Sequence, residues 1–353
     1  MTYCLAWKHR EAVYLIADTL VTQGAPAARK QTSLGEPQVQ VAAQDFVEER
    51  LIKLEELRAG TAVAIAGEIR LAHDIVEFMR DHLETAGSCA ALWPTVNATF
   101  GPFHPQRHVA ILAVESVDGN SPTITRWSSD QGNEHAPRCA WIGSLPPDPA
   151  GRIAGHVLDL ARYPCSTEAM LLSTIATVQL LAHHEEFIRS GVGGVVCGLR
   201  VEAGETKWLE DFVSAFYEED GTLDGVVSVH VREGTLAINS TYHGDEGSVF
   251  TRNRASPTSI EEAKAWCIRW LPYLRHYLNR HVATCAQWIF INRSRPLATV
   301  FLTHANVADQ IAKHLGIRTE GEQLTFTFSP VLMAQLFEPP RSYPKVRVIE
   351  VME

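Results

Sequence analysis

The chain has 353 residues, 46% of them apolar and 20% charged, a globular composition that excludes long disordered tracts. Lys and Arg number 31 against 41 Asp and Glu, and the net charge of −10 excludes a broad basic face for nucleic acid or an anionic membrane. At about 150 residues per domain, this length predicts two domains.

No stretch nears the roughly 20 apolar residues of a membrane helix. Lys8, His9, Arg10 and Glu11 interrupt the N-terminal run MTYCLAWKHREAVYLIADT, so no signal-type segment is expected and the protein is expected to be cytoplasmic. The seven cysteines (Cys4, Cys89, Cys139, Cys165, Cys197, Cys267 and Cys285) are odd in number, scattered and without a CxxC pair. They predict reduced, buried thiols.

Residues 2–7 and 12–17 are apolar runs joined by KHRE and predict a buried β-hairpin. Residues 23–48, with Gly24, Pro26, Gly35 and Pro37, predict a loop or insertion. Residues 51–57 and 61–67 predict a second strand pair, and from Glu68 to Thr85 the period changes to that of an amphipathic helix. Residues 86–106, broken by Pro94, Pro102 and Pro105, give no clear element. Three strands follow (108–116, 123–127 and 139–144), then a turn at LPPDP. Helices are expected over about 151–163 and 166–189, the second capped by Ser166. A strand at 191–201 should pair with a run near 206–213. This order breaks the strict alternation of a parallel doubly wound sheet and fits two packed antiparallel sheets covered by helices.

The chain restarts near residue 221. Strands at 226–233 and 235–243, a polar loop over 245–259 and a helix over 260–281 with Trp266 and Trp270 come first. Strands at 286–292 and 297–302, a helix at 304–315, a strand at 324–328, a short helix at 331–337 and a strand at 345–351 complete an α+β pattern. The expected domains are therefore 1–220 and 221–353.

Thr2 carries the first chemical signal. Methionine is usually removed ahead of a residue as small as threonine, which would leave Thr2 with a free α-amine. Such a residue is a nucleophile with its own base: the hydroxyl attacks and the amine, with an ordinary pKa of about 8, takes the proton. A neighbouring lysine lowers that pKa further, and an aspartate can orient the lysine. Asp18 ends the second strand of the hairpin, 16 residues after Thr2, and Lys53 lies among apolar neighbours where an ammonium needs a partner. Gly67 ends a strand and opens a helix, a place where a backbone N–H can face a developing oxyanion.

The series TYCLAW…YLIADT, IKL and AIAG before a helix resembles the proteasome β-subunit superfamily of N-terminal nucleophile (Ntn) hydrolases over roughly residues 2–201. The Thr2–Asp18 interval and the 14-residue interval from Lys53 to Gly67 match that superfamily. The opening TYC most resembles the bacterial proteasome-related group called Anbu, and the lack of a propeptide resembles Anbu and the HslV peptidase. The resemblance implies an α+β protein built as a four-layer αββα sandwich with a C-terminal α+β extension. It implies a threonine-type peptidase acting on peptides or unfolded chains, needing no cofactor or metal. A homo-oligomeric ring or helical stack, and an ATP-dependent unfoldase as partner, also follow from it.

Carried over to this chain, the resemblance makes Thr2 nucleophile and base, Asp18 and Lys53 its tuning pair, Gly67 the oxyanion donor and Ser144 a hydrogen-bond partner of the free amine. Leu20, Val21 and Thr22 would pair with an extended substrate backbone, and Leu51, Ile65 and Ile69 would line an apolar first specificity pocket. The chain departs from the family pattern in the insertion at 23–48 and in Glu68, where a second glycine is usual. It departs again at Arg189 and Val192, where many proteasome subunits carry aspartate and serine; Ser190 is the nearest replacement. Two other readings share the fold: an inactive assembly or binding module in which 221–353 carries the role, and a hydrolase of small amides.

Other signals have plainer readings. His183, His184, Glu185 and Glu186 are adjacent and face different directions, so a solvated helix end is expected rather than a metal site. GVGGVV leads into a strand and fails the dinucleotide fingerprint. Cys4 is expected to be buried as a small hydrophobe, and Trp266, Trp270 and Trp288 to fill the core of the second domain.

Overall fold

The computed structural model describes residues 2–24, 30–37, 40–42, 45–101, 108–116, 121–162, 165–209, 211–220, 222–232, 235–243, 248–251, 285–303, 315–320, 323–337 and 345–351. The protein is of the α+β class and divides into two units. The first comprises Met1–Ala28, Gln38–Leu171 and Phe187–Leu209; the second comprises Arg29–Pro37, Leu172–Glu186 and Glu210–Glu353.

In the first unit, the two apolar runs at the N-terminus form the expected hairpin of β1 (Tyr3–His9) and β2 (Ala12–Asp18), with Cys4 opposite Ala17. Every β2 residue is buried, so the strand is a continuous apolar run rather than an alternating one. β3 (Leu20–Gln23), β4 (Gln40–Ala42) and β5 (Asp45–Glu49) form a three-stranded sheet in the order β3-β5-β4. The expected loop or insertion at 23–48 therefore holds two strands, which short polar runs do not announce by periodicity.

The remaining strands of this unit are β6 (Leu54–Arg58), β7 (Thr61–Gly67), β8 (Val109–Glu115), β9 (Thr123–Ser128), β10 (Gly132–Ala136), β11 (Cys139–Gly143), β12 (Val196–Glu202) and β13 (Glu205–Trp208). One sheet has the order β11-β1-β2-β12-β13 and the other β10-β9-β8-β7-β6. The two sheets pack against each other, with β1, β2 and β11 touching β7 and β8.

α1 (Ile69–Ala86) and α2 (Cys89–Phe100) cover the second sheet, and Ile75, Met79, Leu92 and Trp93 join Val63, Ile111 and Trp127 in one core cluster. α2 fills part of the stretch 86–106 that the sequence leaves unread. Pro94 sits inside it and removes one helical N–H. The helix is fixed from outside by Ser88, whose hydroxyl accepts from the Ala91 N–H, and by the Trp93 indole, which donates to Thr125 Oγ1 at 3.0 Å. α3 (Pro147–Leu160) packs on β1 and β11 and starts inside the expected LPPDP turn, because proline suits the first helical turn. α4 (Thr167–His184) begins where Ser166 caps it, its hydroxyl accepting from the Ala169 N–H at 3.1 Å.

Glu55 on β6 gives a pH prediction. Burial raises its pKa, but the His73 and Arg80 side chains, at 3.0 Å each, outweigh burial and hold the carboxyl below its usual 4.5. A depressed folded pKa contributes stability that is present above the unfolded value and is lost as pH falls through the folded one. Denaturant titrations at about pH 7 and about pH 3.5 should show a loss of stability in the wild type that is smaller in Glu55→Gln. Equal losses in the two proteins would contradict this.

The second unit is built on a seven-stranded mixed sheet of β14 (Asp211–Tyr217), β15 (Leu223–Arg232), β16 (Thr235–Ser240), β17 (Ser248–Thr251), β18 (Gln287–Asn292), β19 (Leu297–Thr303) and β22 (Lys345–Val351). Its order is β17-β16-β15-β14-β18-β19-β22. The pairs β14–β18 and β19–β22 are parallel. A separate hairpin, β20 (Leu315–Glu320) and β21 (Gln323–Phe328), precedes α5 (Pro330–Phe337). Trp288 and Phe290 stack in the core beside Tyr217, Phe301 and Leu336. Trp266, Trp270, the expected helix at 260–281 and residues 304–314 of the next expected helix lie outside the described residues.

The boundary expected at 220 is corrected to 209. The expected run 206–213 splits: Glu205–Trp208 pairs with β12, whereas Asp211–Tyr217 pairs with β15 and β18. Two earlier segments also belong to the second unit. In one, Ser33 O accepts from Ser240 Oγ and Leu34 O from an Arg293 Nη2, and that guanidinium lies over the Phe216 and Tyr242 rings. The other is the end of α4, where Glu185 and Glu186 are exposed as expected but the two histidines before them are not. His183 and His184 are half-buried: burial and the Arg293 charge hold His183 down to about 4, and His184 Nε2 lies 3.1 Å from Asn292 O. The physical reason is that Phe216 packs against His183 and withdraws it from water.

Candidate active site

All site residues belong to the first unit. The hairpin register returns the end of β2 to the start of β1, and the Tyr3 N–H donates to Asp18 Oδ1 at 2.9 Å. The same oxygen accepts from Lys53 Nζ at 2.8 Å, and the two side chains are 0% and 2% exposed. The second carboxyl oxygen, Oδ2, accepts from the Gly193 N–H at 3.3 Å. Asp18 thus ties the first strand, the lysine and the loop before β12 together. A buried ion pair needs such added hydrogen bonds to offset the lost hydration of both ions.

Thr2 is 3% exposed. Its N–H donates to Ser144 Oγ at 3.0 Å, its carbonyl accepts from the Ser144 N–H at 2.8 Å, and Ser144 Oγ donates to Ser190 O at 2.9 Å. Ser190 thus contributes its backbone, not its hydroxyl. Cys4 lies on the same strand face as Thr2, and its thiol reaches Ile65 O at 3.6 Å. Burial pushes that thiol well above its usual pKa, so it stays protonated and does not rival a hydroxyl nucleophile. Among the described residues Cys4, Cys89, Cys139, Cys165, Cys197 and Cys285 form no disulfide; Cys139 and Cys165 are half-buried rather than buried, and Cys267 lies outside the described residues.

The strand register also places Gly67. The Glu68 N–H bonds to His108 O on the β8 side, and the Ile65 N–H bonds to Lys53 O on the β6 side. Alternation along β7 therefore turns the Gly67 N–H to the β6 side, opposite residue 51. There the chain has already departed, since the Leu51 N–H donates to Thr19 O. The Gly67 N–H is left at a solvent-open cleft of about 330 Å3 lined by Thr2, Val21, Thr22, Leu51, Lys53 and Gly67 with Ile65, Ala66, Ile69 and Ala72.

Glu68, in place of a second glycine, serves as cap of α1: its carboxyl accepts from the Arg70 and Leu71 N–H groups. Gly67 itself has φ +99°, and a Cβ there would lie 2.0 Å from His108 O. Gly67→Ala should therefore destabilise the protein by more than about 1 kcal/mol in a urea titration. An unchanged midpoint would show that the turn relaxes freely.

β3 is an outer strand of its sheet, and the Arg50 N–H bonds to Thr19 O, so the odd residues of this run face β5. The Thr22 N–H and C=O accordingly face the other edge, and Thr22 Oγ1 is buried with no hydrogen-bond partner among the described residues. Val21, Thr22, Leu51, Ile65 and Ile69 of the expected binding set line the cleft. The Leu20 side chain is not part of that lining and packs with Val47 and Ile188. Ala66 and Ala72, missed in the sequence, line the cleft as small residues whose role only tertiary placement shows.

Among the described residues, no group of three or more His, Cys, Asp or Glu is placed to hold a metal ion, and no helix is long and apolar enough to cross a membrane. No family model matches the sequence, and no curated protein matches it significantly.

Proposed function

We propose that the protein is an N-terminal threonine hydrolase of the proteasome-like Ntn type, its first unit a four-layer αββα sandwich and Thr2 its nucleophile once Met1 is removed. One observation carries the reading: Thr2 lines a cleft with Lys53 and Gly67, while Lys53 is locked to Asp18 at 2.8 Å. In this reading the α-amine takes the proton from the Thr2 hydroxyl as Oγ1 attacks the carbonyl carbon. The Gly67 N–H stabilises the resulting oxyanion. The amine then returns the proton to the leaving nitrogen, and water hydrolyses the acyl-enzyme. Ser144 orients the amine, and Lys53 favours its neutral form through like charge.

The outward edge of β3 supports a peptide over a small amide, since an extended backbone could add to Thr22 as a further strand. The lining of Leu51, Ile65 and Ile69 suits an apolar side chain before the scissile bond. Assembly into a homo-oligomeric ring or helical stack, fed by an ATP-dependent unfoldase, belongs to the same proposal. A panel of blocked peptides differing only at that residue tests it. Cleavage after apolar residues, lost in Thr2→Ala, is expected; no turnover of any peptide by protein lacking Met1 would favour an inactive binding module.

A further inference from the structure

We infer that Glu49, at the end of β5, is a positioning residue that holds the loop at 190–195 in register with the site; this rests on the hydrolase reading of Thr2. Glu49 is a buried carboxyl, 9% exposed, outside the set of residues that line the cleft. Its Oε1 accepts from the Val195 N–H at 2.7 Å. Thr19 Oγ1 lies 3.1 Å from that oxygen and 2.9 Å from Val195 O, so its single proton is shared between the two acceptors. Thr19 directly follows Asp18, and its carbonyl receives the Arg50 and Leu51 N–H groups. Glu49 thus ties the end of β5 to the residue after Asp18 and to the start of β12.

The tied loop makes two contacts to the site. Ser190 O accepts from Ser144 Oγ, the acceptor of the Thr2 N–H, and the Gly193 N–H donates to Asp18 Oδ2. Between them and Val195 lies Gly194, with φ +67°. A Cβ there would stand 2.8 Å from Glu49 Oε1 and 2.9 Å from Thr19 Oγ1. Gly194 is therefore required both by its conformation and by the closeness of the Glu49 carboxyl. The glycines of GVGGVV, which fail as a phosphate loop, have a physical use here: they let the backbone wrap two carboxyls.

The test compares Glu49→Ala, Glu49→Gln and Gly194→Ala with the wild type by two readouts. One is hydrogen exchange of the backbone over 190–195. The other is the rate and pH profile of acylation of Thr2 by a β-lactone, per folded molecule. Glu49→Ala should lose protection over 190–195 and slow acylation by about 100-fold, the scale set by ångström-level misplacement of a reacting group. Its pH profile should shift, because Ser144 no longer orients the amine. Gly194→Ala, which keeps the carboxyl but displaces it, should do the same, and Glu49→Gln, which keeps an acceptor oxygen, should recover most of the rate. An unchanged rate and profile in a folded Glu49→Ala, with wild-type Thr2 reacting, would overturn the inference; so would unchanged exchange over 190–195. Should wild-type Thr2 not react at all, the hydrolase reading falls and the exchange readout alone decides whether Glu49 braces the loop. If Glu49→Ala does not fold, Glu49→Gln and Gly194→Ala carry the test, and a Gly194→Ala protein with the wild-type rate and exchange overturns it.

Discussion

Thr2→Ala should reduce amide hydrolysis to background while leaving the fold in place. In the proposed reaction the substitution removes the attacking oxygen, and neither the Cys4 thiol, held protonated by burial, nor another hydroxyl that lines the cleft carries an α-amine as its base. Thr2 is buried, and its N–H and C=O bonds to Ser144 are backbone bonds that alanine preserves. The stability cost should therefore be about 1 kcal/mol. Turnover and a thermal or urea melt on the same preparation check both parts. Wild-type turnover by Thr2→Ala would remove Thr2 from the reaction.

Lys53→Ala should inactivate and also destabilise, unlike Thr2→Ala. It leaves Asp18 fully buried without its cation, with the Tyr3 and Gly193 N–H groups as its donors among the described residues. Breaking a buried pair from one side costs about 3–5 kcal/mol. Turnover should fall by about 100-fold or more, since the charge proposed to tune the amine is gone. Lys53→Arg should not rescue, because a planar guanidinium cannot replace a compact ammonium in a site with Thr2, Ile65 and Gly67 around it. A fully active Lys53→Arg would contradict this geometry.

The parts legible in the sequence are those where period and punctuation agree. The β1–β2 hairpin follows from two apolar runs around KHRE, and α1 from a clean change of period after Gly67. Ser166 announces the start of α4 as a cap. α2 was hidden because Pro94 reads as a break, although Ser88 and Gly101 mark its ends. β4 and β5 were hidden because each is a short run that acquires meaning only by pairing with β3. Glu49 was illegible for a related reason: its partners Thr19 and Val195 are 30 and 146 residues away in the chain, and nothing local marks a carboxyl that will be buried.

The central claim is that Thr2 acts through a free α-amine, and one measurement bears on it most directly. The intact full-length protein is treated with a β-lactone, its mass is measured and the adduct is mapped. The account predicts a mass lacking Met1 and a single acyl group on Thr2, absent in Thr2→Ala. A chain that keeps Met1, or an adduct placed on any other residue, would contradict it.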